Sequence, residues 1–302
     1  MDRRQLLKLL SLVPVLPALS DKAHAANASV IKKKIPSTGE AIPVIGMGTW
    51  ISFNVGNSTQ ARNDRTEVLK TFFDLGGGMV DSSPMYGSAE EVMGYALDRL
   101  GRPQESLFST TKVWTRGDGK EQINNSFRLW GLKQFDLFQI HNLMNWEEHL
   151  PYLLELKKRG VIRYVGITTS HGRRHAELET LINEQPLDFV QLTYNVFDRE
   201  VEQRLLPAAQ QNGVAVIVNR PFQGGRLFDT VEGRPLPKSA AEFGCENWAQ
   251  YFLKFAVSHP AVTCAIPATS QVAHMQENMG AMRGQLPTAK QRAVMLSEIS
   301  KL

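Results

Sequence analysis

The sequence predicts an α/β chain folded as a (β/α)8 TIM barrel, with an N-terminal β-hairpin ahead of the first barrel strand and an extra C-terminal helix. From Pro43 onward, eight short β-rich apolar runs alternate with longer stretches of helical period. The alternation fills about 250 residues with no Gly/Ser-rich linker or break in composition, which fits one barrel better than two domains. A doubly wound open sheet is the alternative. Its G-x-G-x-x-G fingerprint is missing after the first run, where "IGMGTW" supplies only Gly46 and Gly48.

Residues 31–42, "IKKKIPSTGEAI", form two short arms about a Ser37-Thr38-Gly39 turn, placed to close the lower mouth of the barrel. The strands then follow as "PVIGMG", "GMVDSS", "LFSTTKVW", "FDLFQIH", "YVGITT", "DFVQLTYN", "VAVIVN" and "VTCAIP". Helices are expected between them over 60–75, 88–100, 119–132, 147–159, 172–183, 200–212, 247–258 and 271–282. One more amphipathic helix, 288–300, lies outside that alternation.

Composition excludes several classes. With 42% hydrophobic and 21% charged residues the chain is an ordinary globular one, neither disordered nor collagen-like. The lysine run Lys32, Lys33 and Lys34 has no interleaved aromatics and reads as a solvated edge, so no nucleic-acid partner is expected. Cys245 and Cys264 suggest neither a zinc site nor a disulfide framework. His141, His149, His171 and His175 are scattered, and "GRR" stands between the last two where a metalloprotease would carry glutamate, so no metal site is expected.

The first 25 residues read as an export signal peptide, leaving 26–302 as a single barrel domain. A charged start precedes an apolar stretch from Leu9 to Leu19 and a small-residue cleavage site, Ala23-His24-Ala25. The stretch is interrupted by Pro14 and Pro17 and is too short to cross about 30 Å of hydrocarbon, so no stable membrane span is expected. Removing this leader lowers the formal charge from +4 to +2. "DRRQLLK" resembles the twin-arginine export motif, which implies the twin-arginine machinery as a partner, a route for folded protein, and a periplasmic or exported location. A protein that captures a soluble nucleotide before leaving the cytoplasm would need such a route.

Working residues of a barrel lie at the carboxyl ends of its strands. There the second run ends in Asp81 with Tyr86 in the loop after it, the third carries Lys112 and the fourth ends in His141. Taken singly, each has a bland reading as a loop cap, a rim residue or a satisfied core histidine. Together on one rim they would be costly to desolvate unless they satisfy one another. A phenol of pKa about 10 is a poor acid at pH 7, and a neighbouring ammonium favours its phenolate. Lys112 would supply that charge, Asp81 would hold Lys112 protonated, and His141 would orient a carbonyl oxygen. Tyr86 would then act as a general acid, worth roughly 10² to 10⁴ in rate.

The segments "IPVIGMGTW", "VDSSPMYGSAEEVMGYAL", "TKVW", "FDLFQIHN" and "IPATSQVAHMQEN", in this order along residues 31–283, resemble the aldo-keto reductases. The resemblance implies reduction of an aldehyde or ketone by hydride transfer from NADPH, with NADH possible, and it matches Asp81, Tyr86, Lys112 and His141 to the catalytic set. Trp50 and Trp114, with Tyr86 and His141, match positions that wall a substrate pocket. For the cofactor it implies Gly48, Thr49, Asp81, Thr168, Thr169, Gln191, Arg220, Thr269, His274, Glu277 and Asn278. Gln191 would hold the carboxamide, Glu277 and Asn278 the adenine, and Arg220 the pyrophosphate.

Two departures stand out. Asn219 occupies the place where the family commonly stacks an aromatic ring on the nicotinamide. Ala268, Thr269 and His274 replace the Lys-Ser and later Arg that grip a 2′-phosphate, which weakens the electrostatic preference for NADP over NAD. Two further functions are weighed against the reductase: a nucleotide-holding redox sensor or partner-docking module with little turnover, and a barrel hydrolase or lyase using Asp81 or Glu90 as acid and base.

Overall fold

Eight parallel strands stand side by side in chain order, as the alternation predicts. The computed structural model describes residues 29–102 and 105–301; the expected signal at 1–25 lies outside them. The barrel strands are β3 (Met47–Gly48), β4 (Met79–Asp81), β5 (Phe108–Val113), β6 (Phe135–Ile140), β7 (Ile162–Thr168), β8 (Phe189–Thr193), β9 (Ala215–Asn219) and β10 (Val262–Ala265). Parallel bridges Ile45 to Ala265 and Gly48 to Ala268 join the first strand to the last and close the barrel.

That seam explains why the first run yields a strand of only two residues. A side chain at Gly46 would place its Cβ 2.8 Å from the Met79 carbonyl, and one at Gly48 would stand 2.9 Å from the Ile266 carbonyl. The two glycines therefore serve the close approach of backbones at the seam.

The hairpin is present as β1 (Lys32–Lys34) and β2 (Ala41–Pro43), paired antiparallel from Lys32 opposite Pro43 to Lys34 opposite Ala41. Gly39, at φ 78°, closes its turn in the left-handed region that glycine tolerates best. Ile35 and Ile42 from this hairpin join Met79, Phe108, Leu137, Tyr164, Phe189 and Ile217 in one apolar cluster that fills the lower barrel. A larger apolar layer lies between the strands and the surrounding helices, which is why the strands are buried on both faces and show no in/out alternation.

The helices are α1 (Thr59–Asp74), α2 (Ala89–Arg99), α3 (Lys120–Trp130), α4 (Trp146–Lys158), α5 (His175–Glu184), α6 (Leu205–Gln211), α7 (Arg226–Thr230), α8 (Trp248–Val257), α9 (Val272–Gly280) and α10 (Ala289–Ile299). Local chemistry starts several of them. Ser58 accepts from the Ala61 N–H and Asn247 from the Gln250 N–H, and α10 opens on a capping box between Thr288 and Gln291.

The helix expected over 200–212 is shorter. Glu200–Glu202 form a 3-10 turn, and α6 begins only at Leu205 because Arg204 leaves helical geometry, with Pro207 placed in the first turn where it lacks no needed donor. The stretch 222–246 carries α7 and a 3-10 turn, Lys238–Phe243, that periodicity does not reveal. Among the described residues no helix is long and apolar enough to cross a membrane, and no group of three or more His, Cys, Asp or Glu is placed to hold a metal.

Candidate active site

Strand ends deliver the four polar groups to one mouth. Asp81 is the last residue of β4, Lys112 lies near the end of β5, His141 follows β6, and Tyr86 closes the 3-10 turn Pro84–Tyr86 after β4. The turn is held by Ser83, whose Oγ accepts from the Met85 N–H at 3.2 Å. Lys112 is fully buried and Asp81 is 2% exposed, and their Nζ and Oδ2 are 2.5 Å apart. Lys112 also donates to the Ser82 carbonyl at 2.8 Å. A buried ammonium with one carboxylate and one carbonyl is matched in charge, and its third N–H is left for the Tyr86 phenol.

The ammonium stands 5.0 Å from the centre of the Tyr86 ring. Burial raises the phenol pKa above its ordinary value, with Lys112 pulling down and Asp81 pushing up. The net direction is therefore up, which corrects the expectation of a lowered value: desolvation of the ring outweighs the cation. Burial works against the charge on Lys112 too, yet Asp81 and the phenol keep its pKa above the ordinary lysine value. The pair thus supplies a neutral phenol beside a permanent cation.

His141 is driven the other way. Burial and then the Lys112 charge lower its pKa to about 2, so its imidazole is neutral across the working pH range. Its Nδ1 lies 2.8 Å from the Ser83 hydroxyl. With the Ser83 hydroxyl donating to Nδ1, the hydrogen of the ring stands on Nε2 as a donor. The ring stands edge-on to Tyr86, with centres 5.6 Å apart, and Trp114 lies on its other side at 6.5 Å. Two donors, the phenol and the imidazole N–H, therefore serve the same small volume.

Asp81 is oriented from behind. Its Oδ1 accepts from Gln191 Nε2 at 3.0 Å and from Gln139 Nε2 at 3.1 Å, which leaves Oδ2 for Lys112. Gln139 and Ser83 are absent from the residues predicted as functional. The signal for Gln139 is its place in "FDLFQIH", inward at the fourth strand, and for Ser83 its position two residues after Asp81.

Above these groups opens a cleft of about 1100 Å³, its mouth included, lined by Gly48, Thr49, Trp50, Asp81, Tyr86, His141, Thr168, Thr169, Gln191 and Arg220 among the predicted residues. Apolar walls come from Met85, Phe222, Phe228 and Ile266, which sequence reasoning missed because they come from short turns, a one-turn helix and a strand end that carry no polar signal. Thr49 Oγ1 lies 3.0 Å from the Asp81 carbonyl and 2.9 Å from Ser82 Oγ, donating to one and bridging to the other, so it braces the loop. Thr168 Oγ1 accepts from the Asn142 N–H at 3.0 Å. Trp114 stands beside the cleft and covers His141 without lining it.

Thr269, His274, Glu277 and Asn278 lie outside that lining, on the segment after β10 and on α9. Thr269 Oγ1 accepts from the Gln271 N–H at 3.1 Å, His274 and Glu277 are exposed, and Asn278 is buried in packing. Glu90 is removed from consideration as an acid or base. It is buried beneath α2, where Thr111 Oγ1, Ser126 Oγ and Trp130 Nε1 all donate to it.

The cleft suits a dinucleotide. Arg220 makes no side-chain hydrogen bond among the described residues, and its guanidinium lies next to the glycine turn Gly224-Gly225 on the lining, where a Cβ on Gly225 would meet open space. A half-buried cation without an acceptor, beside exposed backbone, matches a pyrophosphate.

A TIM barrel with a buried Asp-Lys pair, a neutral phenol and a neutral imidazole converging under one cleft defines a carbonyl-reducing barrel oxidoreductase. Residues 44–295 match the aldo/keto reductase family. Methylglyoxal reductase YeaE of Escherichia coli is 29% identical over 86% of this chain and 92% of its own length, and the NADH-specific methylglyoxal reductase of the same organism is 28% identical over 69% and 73%. Among solved structures, the thermostable aldo-keto reductase Tm1743, determined with the inhibitor epalrestat, is 28% identical with a TM-score of 0.72, covering 88% of this chain and 99% of that one. An aldo/keto reductase of Klebsiella pneumoniae in complex with NADP and acetate shares the fold at 24% identity and a TM-score of 0.71, over 86% and 93%. The chain belongs to the aldo/keto reductase family and is an NAD(P)H-dependent oxidoreductase.

Proposed function

We propose that this chain reduces a small aldehyde or ketone to its alcohol, with Tyr86 as the general acid and NADPH as the preferred reductant, NADH serving as well. The observation that carries this reading is the 2.5 Å Lys112 to Asp81 pair set beneath the Tyr86 ring, beside an imidazole held neutral. The dinucleotide, when bound, supplies the hydride. The chain's own residues do the rest. His141 Nε2–H orients the carbonyl oxygen, the phenol gives its proton to that oxygen as negative charge develops there, and Lys112 steadies the phenolate left behind. Trp50, Met85 and Phe228 keep the pocket apolar and exclude water. Gln191 and Arg220 are the groups for the carboxamide and the pyrophosphate.

Methylglyoxal is the first substrate to try, because two relatives carry it in their names. Purified protein with NADPH and methylglyoxal, followed by loss of nicotinamide absorbance in a single turnover, tests the reading. Absorbance that stays constant with methylglyoxal and a panel of other aldehydes and ketones would favour a nucleotide-holding sensor instead.

Export is proposed on the leader alone: the Arg3-Arg4 pair, the apolar stretch Leu9 to Leu19 and the Ala23-His24-Ala25 site support passage as a folded protein through the twin-arginine machinery to the periplasm. Replacing both arginines by lysine should leave the uncut chain in the cytoplasm, while the parent is recovered outside it with Ala26 as its first residue.

A further inference from the structure

Position 219 is where the family resemblance expects a stacking aromatic ring, and Asn219 is committed to something else. Its Nδ2 donates to the Thr169 carbonyl at 2.8 Å and to Gln191 Oε1 at 3.3 Å, and its Oδ1 accepts from Thr193 Oγ1 at 2.7 Å. The direction of each bond is set by groups that cannot reverse roles. A backbone carbonyl only accepts, so the nitrogen of Asn219 faces Thr169. The Asn219 oxygen then faces Thr193, and because an amide oxygen only accepts, Thr193 donates to it while accepting from the His171 backbone N–H at 3.0 Å. At the other end a carboxylate only accepts, so the nitrogen of Gln191 faces Asp81.

Every donor therefore points the same way, from the His171 amide through Thr193, Asn219 and Gln191 to Asp81. The Gln191 amide is held at both ends, its nitrogen by the Asp81 carboxylate and its Oε1 by the Asn219 N–H, so Asn219 sets the angle at which that nitrogen meets Asp81. With Gln191 and Gln139 both on Oδ1, the other oxygen of Asp81 is left to Lys112.

We propose that Asn219 is a positioning residue for proton donation, which fixes the amide of Gln191 and through it the carboxylate of Asp81 beneath Lys112 and Tyr86. This rests on the reductase reading given above. Amide donors on Oδ1 draw charge from the carboxylate, so Lys112 keeps more of its field for the phenol. The groups bearing on that phenol are Lys112, Asp81 and the neutral ring of His141. Losing the donors lets Asp81 neutralise Lys112 more fully, and the phenol becomes a weaker acid.

Asn219→Leu keeps the shape and removes the amide, and Thr193→Val breaks the chain one link earlier. Three quantities are read for each: the single-turnover rate with NADPH and methylglyoxal across pH, the NADPH dissociation constant from quenching of tryptophan fluorescence, and the Tyr86 phenol titration by ultraviolet difference against Tyr86→Phe. For Asn219→Leu the rate should fall about tenfold while the dissociation constant stays within about threefold. The alkaline limb of the rate and the phenol midpoint should both move up. Thr193→Val should shift both in the same direction by less, and the double variant should be no worse than Asn219→Leu, since the two act in one chain. Unchanged rate and titration in both variants would overturn the proposal, as would a loss confined to NADPH binding. Should Asn219→Leu fail to fold, Thr193→Val carries the same readouts. If the parent reduces no carbonyl while the phenol midpoint still moves between parent and variants, the reductase reading fails and the positioning role stands.

Discussion

The two mouths of the barrel hold the same kinds of group and use them differently. At the upper mouth a lysine, an aspartate and Tyr86 meet; at the lower mouth Arg163, Glu40, Asp136 and Tyr164 meet beneath the hairpin. Below, the phenol donates to Glu40 Oε2 at 2.6 Å and Thr38 Oγ1 lies 2.9 Å away, so the Tyr164 proton is spent on a carboxylate. Burial, then that bond to Glu40, raise its pKa. Above, the cation lies between the carboxylate and the phenol, and the Tyr86 proton is left to give. Burial separates them too: the side chains of Lys112 and Asp81 are 0% and 2% exposed, those of Arg163 and Glu40 are 37% and 33%. One cluster is a clasp between the hairpin and strands, and the other is a proton source. What distinguishes them is which partner faces the phenol.

The largest effect that would break this comparison is on the phenols themselves. Tyr86→Phe should lower turnover by roughly 10² to 10⁴, with NADPH affinity by fluorescence titration little changed. Tyr164→Phe should leave turnover near the parent's and cost about 1 kcal/mol of stability in chemical denaturation, the worth of one hydrogen bond. Equal turnover in the two variants would mean that the upper phenol is no more an acid than the lower one.

A smaller but sharper contrast lies in the cations. Lys112→Met should cost about 3 to 5 kcal/mol because Asp81 is left buried and unpaired, and it should raise the phenol pKa further, moving the alkaline limb of the rate up. Arg163→Met leaves Glu40 and Asp136 close to solvent, so the cost should be about 1 kcal/mol with the pH profile in place. Denaturation midpoints and pH–rate profiles of both variants decide it. If Lys112→Met keeps the parent profile, the coupling of amine and phenol is wrong.

How much of this was legible in the sequence follows from what each feature depends on. The strand ends that place Asp81, Lys112 and His141 are local apolar runs, and the hairpin turn is written in Ser37-Thr38-Gly39, so both mouths could be located from periodicity and turn chemistry. The sign of the Tyr86 shift could not, because it is a balance between desolvation and one charge, and desolvation depends on what the fold packs against the ring. Asn219 is visible as a departure from the family pattern, yet its partners Thr169, Gln191 and Thr193 come from neighbouring strands and loops that only the barrel brings together. Apolar walls such as Phe222 and Phe228 sit on a turn and a five-residue helix too short to show a period. The cofactor positions Thr269, His274, Glu277 and Asn278 were carried by resemblance alone, and they lie outside the residues that line the cleft.

The smallest expected effect concerns the lower mouth alone. Lys33 of the hairpin sends its ammonium inward, where Nζ meets the carbonyls of His259 at 2.8 Å and Val262 at 2.6 Å. Burial, then the charge of Arg292, lower its pKa to about 8. A lysine whose folded value lies below its unfolded value is bound by fewer protons in the folded state between the two. Stability from this group therefore rises as pH climbs from about 8 toward the ordinary lysine value, and the cost of burying the charge is felt in full below that window. The difference in denaturation free energy between the parent and Lys33→Met should accordingly shift in favour of the parent across that span. Turnover should follow the upper mouth and show no matching change. A stability difference that stays flat through the window would place the Lys33 amine in water rather than on the carbonyls of His259 and Val262.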